Sequence, residues 1–148
     1  MKISKNIFII VVYALFMHYA CVPGGNAPEV IIDNTIDTTM VNSCTTLSAT
    51  HIASVAAPSE VAANTEFNIV VNMEFMDGCG FYAGRKLSKK GYHYYINIAT
   101  GHHVCNLCTE AIVPYIHTES ITLSKSGTYT FHVIGHDGSE QTSKVIIH

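Results

Sequence analysis

The densest run of reactive side chains is Gly101-His102-His103-Val104-Cys105-Asn106-Leu107-Cys108. Thiolates and imidazoles are zinc and copper ligands, and Cys-x-x-Cys is the usual half of a structural zinc site. His102, His103, Cys105 and Cys108 are therefore candidate metal ligands. A complete site of that kind needs a second pair, and the chain offers only the isolated Cys44 and Cys79. Cys44, Cys79, Cys105 and Cys108 are equally candidates for two disulfides, and four cysteines allow three connectivities. On an extended strand, Cα atoms three residues apart lie roughly 10 Å from each other. A disulfide tolerates at most about 7 Å, and an odd offset also turns the two side chains to opposite faces. On a strand, Cys105 and Cys108 would each need a distant partner, Cys79 for one and Cys44 for the other. Only a tight turn would let them bond to each other. Free thiols are the third alternative.

Other chemistry is weaker. A redox Cys-x-x-Cys needs the strand–helix setting of thioredoxin-like folds, and no nearby segment reads as that helix. Cys105, His102 and Glu110 form a nominal nucleophile–base–carboxylate set, but nine histidines make such trios common. The expectation is a non-enzyme with no cofactor. His51, His93, His117, His132, His136 and His148 are scattered. His93 and His132 would meet as a metal-binding stripe only if their strands were neighbours in the right register. Asp77-Gly78 and Asp137-Gly138 read as turns, because two isolated aspartates lack the run of oxygen ligands that calcium needs. Phe81, Tyr82, Tyr92, Tyr94 and Tyr95 are concentrated mid-chain. Some must be core, and the rest could form an aromatic patch for a sugar or a partner protein.

The elements that must position these groups read as strands. Over residues 65–75, Phe67, Ile69, Val71, Met73 and Phe75 alternate with Glu66, Asn68, Val70, Asn72 and Glu74, a period of two with one buried face. Tyr92, Tyr94, Ile96 and Ile98 alternate in the same way, as do Tyr129, Phe131 and Val133. Residues 51–57 are small and β-branched and stop at Pro58. Met76-Asp77-Gly78-Cys79-Gly80 reads as a turn whose glycines supply positive φ. Asp137-Gly138 reads as a hairpin turn. Pro114, within the apolar stretch 104–117, predicts an edge or bulged strand there. No segment has the periodicity of an amphipathic helix. Strands separated by turn signals every ten residues or so point to a sandwich.

The N-terminus sets the address. Lys2 and Lys5 precede an uncharged apolar run over 7–17, and Ala20 precedes Cys21. A basic head, a short apolar core and a small residue at the cut make a secretory signal. The run is shorter than the about 20 residues a spanning helix needs. A cysteine directly after the cut is the acceptor of diacylglycerol, so Cys21 is the candidate lipidation site. His18 stands where the common lipobox has Leu. Export also suits an even set of cysteines in the remaining chain. Removing 20 of 148 residues leaves 128, enough for one domain. The net charge of −3 provides no basic field for nucleic acid.

Two stretches resemble bacterial immunoglobulin-like domains. Pro58-Ser59-Glu60-Val61-Ala62-Ala63-Asn64-Thr65-Glu66-Phe67-Asn68-Ile69 resembles their first hairpin. Leu123-Ser124-Lys125-Ser126-Gly127-Thr128-Tyr129-Thr130-Phe131 resembles their late turn, which implies a tyrosine packed under the loop. The chain also resembles small lipoproteins of Gram-negative anaerobes, on Cys21, Cys44, Asp77-Gly78-Cys79-Gly80-Phe81 and Cys105-Asn106-Leu107-Cys108-Thr109. That resemblance implies an address and a fold, and no activity. The expectation is an all-β chain: a lipoprotein signal peptide over 1–20, a lipidated cysteine and flexible tether over 21–45, and an immunoglobulin-like antiparallel β-sandwich over 46–148. Its expected role is non-catalytic binding or scaffolding at the cell envelope, outer membrane above all. Its partners would be the membrane, through the lipid, and an envelope protein or glycan, with no nucleic acid. The alternative is metal binding through His102, His103, Cys105 and Cys108.

Overall fold

The computed structural model describes residues 30–34 and 44–148. The expected signal peptide, Cys21 and most of the expected tether lie outside the described residues. Every described element is a strand: β1 (Val30–Asn34), β2 (Thr45–Leu47), β3 (His51–Ala56), β4 (Glu60–Val61), β5 (Glu66–Phe75), β6 (Gly80–Lys90), β7 (His93–His103), β8 (Val113–Thr122), β9 (Gly127–Ile134) and β10 (Glu140–Ile147). The larger sheet runs β1-β6-β7-β9-β10-β4, with β2 also paired to β7, and the smaller runs β3-β5-β8. The chain is an all-β sandwich. Part of the span expected as tether is strand, since β1 pairs with β6 and β2 with β7.

The alternating residues form the core between the sheets. Phe67, Ile69, Val71, Met73 and Phe75 of β5 are all buried, against Tyr94, Ile96 and Ile98 of β7 and Tyr129, Phe131 and Val133 of β9. Burying each such side chain contributes about 1.5–3 kcal/mol. Tyr129 packs against Tyr92 at 5.0 Å between ring centroids, and its hydroxyl donates to the Lys125 carbonyl at 2.8 Å. That bond ties the ring to the turn before β9, the role of a tyrosine corner.

Among the described strands, two pairings are parallel, β7 with β9 and β4 with β10. Parallel neighbours cannot be joined by a tight hairpin and need a crossover. Here the chain leaves β7, passes through an irregular loop over 104–112, crosses the smaller sheet as β8 and returns as β9. The apolar stretch from residue 104 was expected to be partly strand. Its first nine residues instead make the transfer between sheets, and the strand begins at Val113. Pro114 lies in β8 opposite Glu74, and β8 is an edge of its sheet, where a missing N–H is tolerated.

The sheets are also joined by charge. Arg85 of β6 grips Glu119 of β8 through Nε and Nη2, the latter 2.6 Å from Oε1, and His117 Nε2 lies 3.3 Å from the same carboxylate. Glu119 is buried. Burial pushes its carboxyl up, but the hydrogen bonds from His117 and Arg85 outweigh that and leave it below the ordinary glutamate value. Replacing Glu119 with Ala removes a buried carboxylate that accepts from both Arg85 and His117. The expected loss is about 3 kcal/mol, at the low end for breaking a buried pair. Urea unfolding checks this, and a loss below about 1 kcal/mol would show that the pair is dispensable.

Candidate functional site

One end of the sandwich gathers the β5–β6 turn, the end of β7 and the 104–112 loop. The turn is held first by Asp77, whose Oδ1 accepts the Cys79 N–H at 2.9 Å. The Gly78 N–H donates to the Thr109 carbonyl at 3.1 Å, tying the turn to the loop. Gly78 and Gly80 were expected to supply positive φ, and neither does. They provide room: a Cβ on Gly78 would come within 2.3 Å of Thr109 Oγ1, and one on Gly80 within 2.6 Å of the Phe75 ring.

Two disulfides fasten the loop. Cys44 bonds Cys105, with Cα atoms 5.0 Å apart, and Cys79 bonds Cys108, at 5.3 Å. Each cysteine of the Cys-x-x-Cys pair therefore takes its own distant partner. Both lie in the irregular loop and not on a strand, so the bridging follows from where the loop docks and not from strand geometry. Backbone bonds reinforce the docking: Val104 N–H to the Cys44 carbonyl at 2.9 Å, and His103 N–H to the Cys79 carbonyl at 3.0 Å.

Beside the second bridge, His102 Nε2 lies 2.9 Å and 3.0 Å from the two Asp77 oxygens. The hydrogen bond from His102, and then that from the Cys79 N–H, hold the Asp77 carboxyl below its ordinary value. Ligand atoms of Asp77, Cys79, His102 and Cys108 all lie within 4.8 Å of one another. Of the four metal candidates, only His102 and Cys108 belong to this group. Cys105 is bridged to Cys44, and the His103 ring packs on Phe81 at 4.6 Å. The sequence singled Asp77 out only as a turn residue, because nothing local reveals that the turn meets residue 102. As bridged, the sulfurs offer no thiolate and His102 and Asp77 satisfy each other. Reduced, the four would supply the mixed sulfur, nitrogen and oxygen set that suits zinc.

The aromatic candidates do not form one patch. Tyr94 is core, stacked on Phe131 at 5.2 Å, while its neighbour Tyr95 points to the other face and stacks on His132 at 4.7 Å. Adjacent strand residues must face opposite ways. Tyr82 stacks on His117 and Tyr115, Phe81 packs tilted against His103, and Tyr92 meets Tyr129 edge to face. Among the large exposed apolar residues, Val104, Leu107, Ile112, Val113 and Ile116 fall in or just after the loop, with Leu107 fully exposed, and Met76 lies in the β5–β6 turn, while Leu47, Tyr92 and Ile146 lie elsewhere. From sequence, the aliphatic run around Pro114 reads as an edge or bulged strand, so its first part is not distinguished as an exposed loop.

Residues 69–145, 77 of the 148, match the family model of the ORF11 β-sandwich domain. The chain belongs to that family. No curated protein and no solved structure matches it. The segment matching the ORF11 β-sandwich domain contains Asp77, His102 and both ends of the Cys79–Cys108 bridge, whereas Cys44 lies before it.

Two predictions follow from this geometry. The bridges close loops of 61 and 29 residues by sequence separation. Loop entropy gives about 4.3 and about 3.6 kcal/mol respectively. Replacing the pair Cys44 and Cys105 with alanines should therefore lower urea stability at least as much as replacing Cys79 and Cys108. The reverse order, by 1 kcal/mol or more, would show that native contacts and not chain entropy set their worth. Asp77, held below its ordinary value, stabilises the fold above the normal aspartate range, and that contribution disappears as pH falls through its depressed value. The melting temperature of Asp77→Asn should fall below that of the parent above pH 5, and the gap should close on acidification below about pH 4. A gap that widens toward acid would contradict the assignment.

Proposed function

We propose that this chain is an exported, lipid-anchored member of the ORF11 β-sandwich family that binds a partner protein at the cell envelope without catalysis. The observation that carries the reading is the exposed aliphatic surface of the stapled loop. Val104, Leu107 and Ile112 face solvent on a segment that contains no buried residue, yet two disulfides and two docking hydrogen bonds hold it. A rigid apolar surface binds at a smaller entropic cost than a mobile one, and large apolar side chains held in solvent on an ordered segment suit an interaction site. Aliphatic side chains match the apolar surface of another protein. A glycan would need convergent hydrogen-bonding groups.

Export is supported by the bridges, which form and persist in oxidising compartments. The odd fifth cysteine, Cys21, follows the apolar run and Ala20, where a lipid acceptor belongs. The outer membrane is the proposed address. A photo-crosslinking residue placed at Leu107 in the full chain, expressed in the envelope, should give a discrete protein adduct. The same residue at Thr142, exposed in β10 of the larger sheet and far from the loop in that strand order, should not, and Ile112→Asp should weaken the adduct at position 107 several-fold. Equal adducts from both positions would overturn the proposal.

The grouping of Asp77, Cys79, His102 and Cys108 within 4.8 Å favours one second reading, zinc binding by the reduced protein. Native mass of the chain purified without reductant separates the two. One zinc per chain with those cysteines unbridged supports the metal, and an intact Cys79–Cys108 bridge excludes it.

A further inference from the structure

The outer face of the larger sheet carries a second constellation, built from β7, β9 and β10. Strands β7 and β9 pair in parallel with Tyr95 opposite His132 and His93 opposite Thr130. His93 and His132 are thus one diagonal step apart on the same face. Their rings are 5.2 Å apart, and His93 Nδ1 lies 2.9 Å from His132 Nε2. On the far side of its ring, His132 Nδ1 lies 2.5 Å from Oε1 of Glu140 on β10. Tyr95 stacks on the His132 ring at 4.7 Å and an interplanar angle of 14°.

We propose that His93 Nδ1 and His132 Nε2 are a two-imidazole site for a late first-row divalent metal ion, of the Cu²⁺ or Ni²⁺ class. A carboxylate only accepts hydrogen bonds, so the His132 Nδ1 next to Glu140 carries the hydrogen. In the neutral ring Nε2 then carries the lone pair. That is the carboxylate–histidine arrangement that fixes the tautomer and orientation of metal-binding imidazoles. Glu140 is a positioning residue and Tyr95 clamps the ring from its face.

The two nitrogens are now a hydrogen-bond length apart, and an ion between them needs the His93 ring to re-aim without the strands moving apart. Two nitrogens in adjacent positions on a metal, each about 2.05 Å from it, lie about 2.9 Å apart. Without metal, His93 donates its Nδ1 hydrogen to His132 Nε2. With metal, His93 takes the Nε2–H tautomer, its Nδ1 lone pair turns to the ion, and no net proton is lost. His93 is exposed, so its ring is free to make that turn and water can fill the remaining positions. The row through His93 contains Lys90 on β6 and Lys144 on β10, by their pairing with His93 and Thr130. Those residues supply none of the oxygen ligands that calcium or magnesium requires. Nitrogen donors and the affinity order both favour copper and nickel. The site is independent of the partner-binding reading.

The test is titration of the full chain, disulfides intact, with Cu²⁺ followed by calorimetry and electron paramagnetic resonance. The expected result is one Cu²⁺ per chain with a micromolar dissociation constant and nitrogen splitting from two imidazoles. His93→Ala and His132→Ala should each weaken binding at least ten-fold and remove that splitting, and Glu140→Gln should weaken it about ten-fold or more. His136→Ala, at an exposed histidine outside both groups, should leave it unchanged. His93 is solvent-exposed, so His93→Ala decides the matter even if His132→Ala unfolds. Absence of saturable binding below about 1 mM, or an affinity unmoved by His93→Ala, would overturn the site. An unmoved Glu140→Gln would overturn the positioning role.

Discussion

The parallel pairing of β7 with β9 is the constraint from which the distinctive end of this molecule follows. It requires a crossover connection, which here leaves the larger sheet, runs through the smaller as β8 and returns. The crossing is made by residues 104–112, none of which is buried. A segment with so little apolar burial cannot offset the entropy of ordering it. Covalent links supply what packing does not: Cys105 fixes the start of the loop to Cys44, before β2, and Cys108 fixes its middle to Cys79 in the β5–β6 turn. Once the loop is fixed, its side chains follow. Leu107 and Ile112 stay in solvent, and Asp77 and His102 come together beside the second bridge.

The same sheet geometry separates the two candidate sites. Side chains alternate across a strand, so β7 sends Tyr94, Ile96 and Ile98 into the core and His93 and Tyr95 outward, where β9 meets them with His132. The end of the sandwich and its outer face then carry different chemistry. The end is covalently fixed and aliphatic. The face carries imidazoles, a carboxylate and lysines held only by register. Between the sheets, the Arg85–Glu119–His117 group links β6 to β8. It is the charged counterpart of the apolar core and lies under the stacked Tyr82 ring.

Period-two patterning was enough to read β5, β7 and β9 and hence the sandwich, because each has one face fully in the core. The tyrosine corner at Tyr129 was legible too, since its turn and ring are local in sequence. What sequence left open was long-range. Cysteine connectivity depended on where a loop docks. Asp77 looked like a turn residue until the fold brought it to His102, 25 positions away. Gly78 and Gly80 looked like flexible turn residues, whereas packing against Thr109 and Phe75 explains them. The five aromatic candidates looked like a cluster because they are close in the chain, yet alternation and strand separation disperse them. The pairing of His93 with His132 was conditional on register, and register is a property of two strands together.

The central claim is that two long-range bridges hold the crossover loop. It is tested most directly by digesting the protein without reduction and identifying the linked peptides by mass. The account requires one peptide pair joining Cys44 to Cys105 and another joining Cys79 to Cys108. A bridge between Cys105 and Cys108, or recovery of these cysteines as free thiols, would contradict it and leave the aliphatic loop without the staples on which its rigidity depends.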